Sequence, residues 1–311
     1  MKEKNKPRRG LLDDIVSVRL KGRLAGKFIP NALMRPYTTI KTGGRSIGIY
    51  MPENTDGIKD MLFLCDRNKI SLLPIGNGSN IIISEKGLNN VFLKLSSPCF
   101  RNISLRGDDI ICGAGSMVSR LCDFAHGLSL SGAEFLIGIP ATAGGAIFQN
   151  AGAYGGNIAC ILKYAECMDR NGRVVVLNRN DIRFEYRHSG LRNFIVLSAC
   201  FKLKKSRKPL IGALMNKYLA RRLSSQDYTA PSAGCVFKNP DGSVISAAEM
   251  IDICGLKGRK INGAQVSSKH ANFIVNKGRA SSEDVIKLIS FVKNRVKSVF
   301  NVTLETEVEI I

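Results

Sequence analysis

Apolar residues recur at spacings of three and four at Ile58, Met61, Leu62 and Cys65, which predicts a helix over residues 55–69 with one face turned to a core. Further helices are predicted over 117–128 and 210–223, through AAEMIDIC up to a glycine C-cap at Gly255, and from Ser281, which has capping-box spacing to Asp284. Between them, short apolar runs read as strands: the run from Thr38, the approach to IGNGSN, NVFLKL at 90–95, DIICGAGS, RVVVLN, NFIVLSACFKLKK and the ending TLETEVEII. Short strands interleaved with single helices predict an α+β fold. Four segments follow from the breaks in this pattern. A basic arm with a short amphipathic helix in LLDDIVSVRLKGRL covers 1–21, α+β units cover 22–100 and 101–205, and the charged run KKSRKP leads into a smaller α+β unit over 206–311.

A chain of 311 residues with 44% apolar content has enough material to bury more than one core. The most apolar region, after Leu128, is interrupted by Glu134, Pro140, Gln149, Asn150 and several glycines, which argues against a membrane span. The start MKEKNKPRRG has no apolar stretch of the kind a secretory signal needs, so a cytoplasmic protein is expected. The nine cysteines form no C-x-x-C pair and sit mostly among apolar neighbours, as reduced core thiols do. With only three, widely separated histidines, no metal site is expected. The net charge of +21 favours anionic ligands, but the basic residues are spread along the chain without an aromatic and basic recognition pattern. A nucleic-acid partner is therefore not expected, and remains the reading from a different functional class.

The candidate chemistry starts from glycine. Residues 132–156, GAEFLIGIPATAGGAIFQNAGAYGG, hold 13 Gly or Ala in 25 positions, which suits either a tightly packed core loop or backbone closely approaching a flat or anionic ligand. IGNGSN at 75–80 and CGAGS at 112–116 add two more glycine loops. GNGSN lacks the third glycine of the dinucleotide fingerprint and no long helix follows it, so a Rossmann site is disfavoured. Together the loops suggest main-chain amides gathered around one large anion, such as a dinucleotide with its pyrophosphate.

IGNGSNIIIS, CGAGS, EFLIGIPATAGGAIFQNAGAYGG, FEYRHSGLR, PSAGCVFKNP and LETEV, in this order and spacing, resemble the UDP-N-acetylenolpyruvoylglucosamine reductase (MurB) family. The length and the short gap between FEYRHSGLR and PSAGCVFKNP resemble its type II branch. The resemblance implies a two-part PCMH-type FAD-binding domain followed by a substrate-binding domain. It implies FAD as cofactor, NADPH as co-substrate and a UDP-sugar substrate; a monomer is expected. It assigns the cofactor to Gly76, Asn77, Gly78, Ser79, Asn80, Gly115, Ser116, Gly144, Gly145 and Asn150. Where the family more often has IPGTVGGA, this chain has Ala141 and Ala143; a backbone needing positive φ at 141 would not tolerate the alanine.

The implied reaction reduces an enol ether bearing a carboxylate, so it needs positive charge at that carboxylate and a proton donor beside it. By motif match Arg187 binds the carboxylate and Glu307 stabilises or protonates the enolic form, with Glu305 a lesser second match. Cys235 stands where many relatives have a serine proton donor. A thiol of ordinary pKa, about 8.5, is mostly protonated at neutral pH and gives up its proton more readily than an alcohol. Arg222, Gln226, Lys238, Asn239 and His270 match substrate-binding positions, and Asp227 replaces the proline that usually follows the glutamine. An alcohol oxidase on the same flavin fold is the nearer alternative.

Overall fold

The computed structural model describes residues 10, 11, 13–15 and 24–311. Most of the expected basic arm lies outside the described residues; residues 10, 11 and 13–15 are helical. The chain forms two compact units, one holding residues up to 32, 46–77 and 89–220, the other 33–45, 78–88 and 221–311.

In the first unit, β1 (Gly26–Pro30) pairs antiparallel with β2 (Ser46–Pro52). Helix α1 (Thr55–Arg67) starts where the Asn54 side chain accepts from the Gly57 amide. β3 (Ser71–Pro74) then runs parallel to β4 (Leu88–Leu93), in the sheet order β1-β2-β4-β3. The predicted face of α1, with Ile58, Met61, Leu62 and Cys65, is buried with Tyr50, Val91 and Leu93.

Five antiparallel strands follow: β5 (Ile103–Arg106), β6 (Asp109–Gly113), β7 (Leu162–Asp169), β8 (Val174–Asn178) and β9 (Phe194–Lys202), in the order β8-β7-β9-β6-β5. β9 is buried on both faces, which is why its sequence shows no alternation. Ile195 and Leu197 join the core under α1, whereas Val196, Ala199 and Phe201 join a second core. That core is closed by α2 (Val118–Gly127), the short α3 (Ala143–Phe148) and the start of α4 (Lys208–Ser225).

KKSRKP is not a linker. Lys204 and Lys205 pair with Ser131 and Leu130, and α4 buries Ile211 and Met215 in the first unit's core, which holds the chain in that unit to residue 220.

The second unit carries β10 (Ser232–Cys235), helix α5 (Ala247–Ile253), β11 (Lys260–Ile261), β12 (Ala264–Val266), β13 (Phe273–Asn276) and helix α6 (Ser282–Phe300). Its sheet is antiparallel in the order β10-β13-β12-β11. Ser246 with Glu249 and Ser281 with Asp284 form full capping boxes, and Gly255 follows α5 at φ +68. Val285, Leu288, Ile289, Val292 and Val296 of α6 pack on Val266 and Ile274.

Residues 33–45 and 78–88 were expected within the segment 22–100, yet Ile40 and Ile82 lie in the second unit's core. There Glu309 and Ile310 run parallel to Ile81 and Ile82. The predicted ending strand is thus a two-residue strand plus an isolated bridge from Thr306 to Phe237. The run from Thr38 is turn and coil, with a strand beginning at Ser46.

Candidate functional site

The first unit brings the three glycine loops into contact. Asn77 Nδ2 donates to Pro140 O at 2.8 Å, Ala143 N to Ser116 O at 2.7 Å, Gly144 N to Ala114 O at 2.9 Å, and Val118 N to Ala141 O at 3.0 Å. Gly76 is required by close approach, because a Cβ there would stand 2.6 Å from Thr142 Oγ1. Ala141 is absent from the positive-φ residues, so its methyl group meets no backbone strain. Residues 143–148 are a packed helix, so much of the Gly/Ala stretch serves close packing.

Several predicted wall residues have their polar groups committed within the protein. Gly115 N donates to Phe100 O, Gly145 N to Thr142 Oγ1, and the Ser116 hydroxyl to Arg101 O at 2.6 Å. Asn150 donates to Glu185 O at 2.9 Å and accepts from Ala159 N at 3.2 Å. These hydrogen bonds fasten the loops to their neighbours. Among the described residues, the amides of Gly76 and Asn77 donate to no protein acceptor, and neither do those of Gly78, Ser79 and Asn80 as the chain enters the second unit. Spare amides on a glycine loop are the kind of donor that a phosphate takes. Lys94, missed in the sequence, donates to Gly76 O at 2.8 Å, and burial, helped by the Arg101 charge, lowers its pKa.

Arg187 sits in a two-residue hairpin, where Phe184 pairs with Ser189 and Glu185 with His188. Its φ is +57, a left-handed conformation that favours glycine. The hairpin is fastened to the Gly/Ala stretch by Asn150 to Glu185 O, by Ser189 Oγ to Phe148 O at 2.7 Å, and by Arg187 Nη1 to Gly152 O at 2.9 Å. A long cationic side chain kept at a strained position marks a candidate functional group.

In the second unit, the expected turn around Cys235 is the edge strand β10. Its register to β13 shifts between Ser232 and Cys235, and Gly234 sits in that bulge at φ +78. Just beyond, Glu307 N donates to Val236 O at 2.8 Å and Lys238 N to Glu305 O at 2.9 Å, so Cys235 and Glu307 lie on neighbouring backbones. Asn80 Nδ2 donates to Glu307 O at 3.1 Å, and Thr39 Oγ1 to Ser232 O at 2.6 Å. Buried Asn272 gives both amide atoms to Phe237, at 2.9 and 2.8 Å, and holds the segment after Cys235. In the sequence Asn272 stands between Ala271 and Phe273, with no local pattern that marks it for that role.

Arg222 Nε donates to the Tyr228 hydroxyl and that hydroxyl to Gln226 Oε1, each at 2.8 Å, so Tyr228 joins two predicted residues. Lys238 Nζ lies 3.4 Å from Glu305, and Asn239 accepts from Ala247 N at 3.1 Å. His270 Nδ1 accepts from Asn272 N at 3.3 Å, leaving Nε2 as donor, and burial lowers the imidazole pKa. Cys65, Cys112 and Cys167 are buried thiols pushed up to about 12, whereas Cys235 is half-buried. Among the described residues no helix is long and apolar enough to cross a membrane.

Residues 226–311 match the family model for the C-terminal domain of UDP-N-acetylenolpyruvoylglucosamine reductase, and residues 47–178 match that for an FAD binding domain. A UDP-N-acetylenolpyruvoylglucosamine reductase of Clostridium botulinum (strain Okra / Type B1) is 40% identical over 283 residues, which span 89% of this chain and 90% of that protein. That of Listeria monocytogenes serotype 4a (strain HCC23) is 41% identical over 283 residues, 90% of this chain and 94% of that protein. The crystal structure of the Thermus caldophilus reductase superposes with a TM-score of 0.78 at 33% identity, over 92% of this chain and 98% of that one.

Proposed function

The chain belongs to the UDP-N-acetylenolpyruvoylglucosamine reductase family, and on that footing we propose that it reduces UDP-N-acetyl-3-O-(1-carboxyvinyl)-glucosamine to UDP-N-acetylmuramate in peptidoglycan precursor synthesis. Bound FAD, reduced by NADPH, supplies the hydride. The spare amides of residues 76–80, with Lys94 behind them, suit the cofactor's pyrophosphate, and Gly115, Ser116, Gly144, Gly145 and Asn150 shape its wall.

Hydride addition to the vinyl carbon drives charge onto the carboxylate as an enolate. Arg187 offers that carboxylate a fixed cation with two donor directions. Cys235 gives its proton to the adjacent carbon, so hydride and proton together saturate the double bond and a thiolate remains to be reprotonated. Glu307 stabilises the enolic form. Arg222, Gln226, Lys238, Asn239 and His270 hold the UDP-sugar, His270 as a neutral donor. We further propose a type II, monomeric, cytoplasmic enzyme.

The observation that carries these roles is the register that sets the end of β10 beside Glu307. Anaerobic NADPH should bleach the yellow protein and the enolpyruvyl substrate should restore its colour. Cys235→Ala should bleach normally and fail to recolour, and Cys235→Ser should keep part of the recolouring rate. Normal turnover in Cys235→Ala removes the thiol from the mechanism, and a chain that cannot be loaded with FAD sinks the whole assignment.

A further inference from the structure

Asp227 is buried, 6% exposed, and each of its carboxylate oxygens is used. Oδ1 accepts from Thr229 N at 3.0 Å and from Thr229 Oγ1 at 2.6 Å, and Oδ2 accepts from Ser267 Oγ at 2.8 Å. Ser267, 1% exposed, passes the connection on: its Oγ accepts from Lys269 N at 3.0 Å and from His270 N at 3.2 Å. A second link runs the other way, from Lys269 Nζ to Leu223 O at 2.6 Å. Two segments far apart in sequence, 222–229 and 267–270, are therefore joined through one buried carboxylate. One carries Arg222, Tyr228 and Gln226 in a hydrogen-bonded chain, and the other carries His270.

We propose that Asp227 is a positioning residue for UDP-sugar recognition, fixing His270 and the Arg222–Tyr228–Gln226 chain through Thr229 and Ser267. The inference rests on the substrate-binding role given to those residues above. Burial works against the Asp227 charge, but the Thr229 and Ser267 hydrogen bonds and the charge of Lys277 outweigh it and hold the carboxyl below its ordinary pKa. The side chain is thus an acceptor at every one of its contacts. An amide in its place must turn a donor toward Thr229 or Ser267. The Ser267 hydroxyl is the hinge of the network, since it donates to the carboxylate while accepting two backbone amides. Its loss frees the 267–270 turn without removing any side chain assigned to the substrate.

The test uses the FAD-loaded full chain as wild type, Asp227→Ala, Asp227→Asn and Ser267→Ala. Substrate affinity is read from perturbation of the oxidised flavin spectrum by the UDP-sugar, and the NADPH half-reaction is read as anaerobic bleaching. Loss of one hydrogen-bonded link to a charged group should weaken UDP-sugar binding about tenfold in Asp227→Ala and Ser267→Ala. Asp227→Asn should fall between these and wild type, and bleaching should stay within about twofold, because the network touches no cofactor-binding residue. If Asp227→Ala does not fold, Ser267→Ala carries the test alone, since it keeps both Thr229 bonds. Wild-type affinity in folded Ser267→Ala overturns the positioning role, as does an equal loss of bleaching and binding. A wild-type chain that bleaches with NADPH and ignores the UDP-sugar overturns the substrate assignment itself, a result distinct from either.

Discussion

Replacing Arg187 by glycine removes the guanidinium and, at the same position, the backbone strain of a φ of +57. The left-handed conformation costs a non-glycine residue about 1–2 kcal/mol, which glycine recovers. Against this, glycine's extra freedom in the unfolded chain costs about 0.5–1 kcal/mol. The hydrogen bond to Gly152 O is half-exposed, so its loss costs about 1 kcal/mol. Arg187→Gly should therefore lie within about 1 kcal/mol of wild type. Arg187→Ala loses the bond and keeps the strain, so it should be the less stable variant by about 0.5–1 kcal/mol, or about 1–4 °C in melting temperature. Both should bleach with NADPH, and both should recolour with substrate about a hundredfold or more slowly, the usual effect of removing one group that stabilises developing charge. Melting curves and single-turnover recolouring are the assays. An alanine variant as stable as the glycine one refutes the strain, and a glycine variant that recolours normally refutes the guanidinium's role.

Gly76→Ala should weaken FAD retention about tenfold or more, measured by flavin release on dilution, because its methyl group must displace Thr142 from 2.6 Å and shift the loop with the spare amides. Asn272→Ala should cost about 2–3 kcal/mol in chemical unfolding, since it leaves the buried Phe237 N–H and C=O unpaired. The His270 pKa is lowered by burial, so on acidification the unfolded chain takes the proton first. Its contribution to stability is full above the ordinary value of about 6.5 and shrinks as pH falls through that value toward the folded one. His270→Gln should flatten the melting temperature between about pH 6.5 and 5, and an unchanged slope would show that the imidazole is not buried neutral.

Helices were the most legible part of this chain. The face of α1 is written in Ile58, Met61, Leu62 and Cys65, and the boxes and stops at Ser281, Asp284 and Gly255 are local features spanning a few residues. The glycine loops and the motif order were legible too, and they carried the flavin and the family. Less of the site's wiring was. Ser116 and Asn150 look free in the sequence, but only the neighbouring backbones, Arg101 O and Glu185 O, reveal that their polar groups are engaged. Asp227 read as a departure from a pattern, and its partner Ser267 lies forty positions away.

By itself, then, the sequence determined where the longer helices lie and where the small residues cluster. Those depend on spacing within one or two turns of chain. Only the tertiary structure decided that residues 33–45 and 78–88 pack with 221–311, that Asn80 meets Glu307 across 227 positions, and that Arg187 is held at a strained φ. Pairing between distant strands is set by which apolar faces can be buried together, and that is a property of the assembled core that no local pattern records.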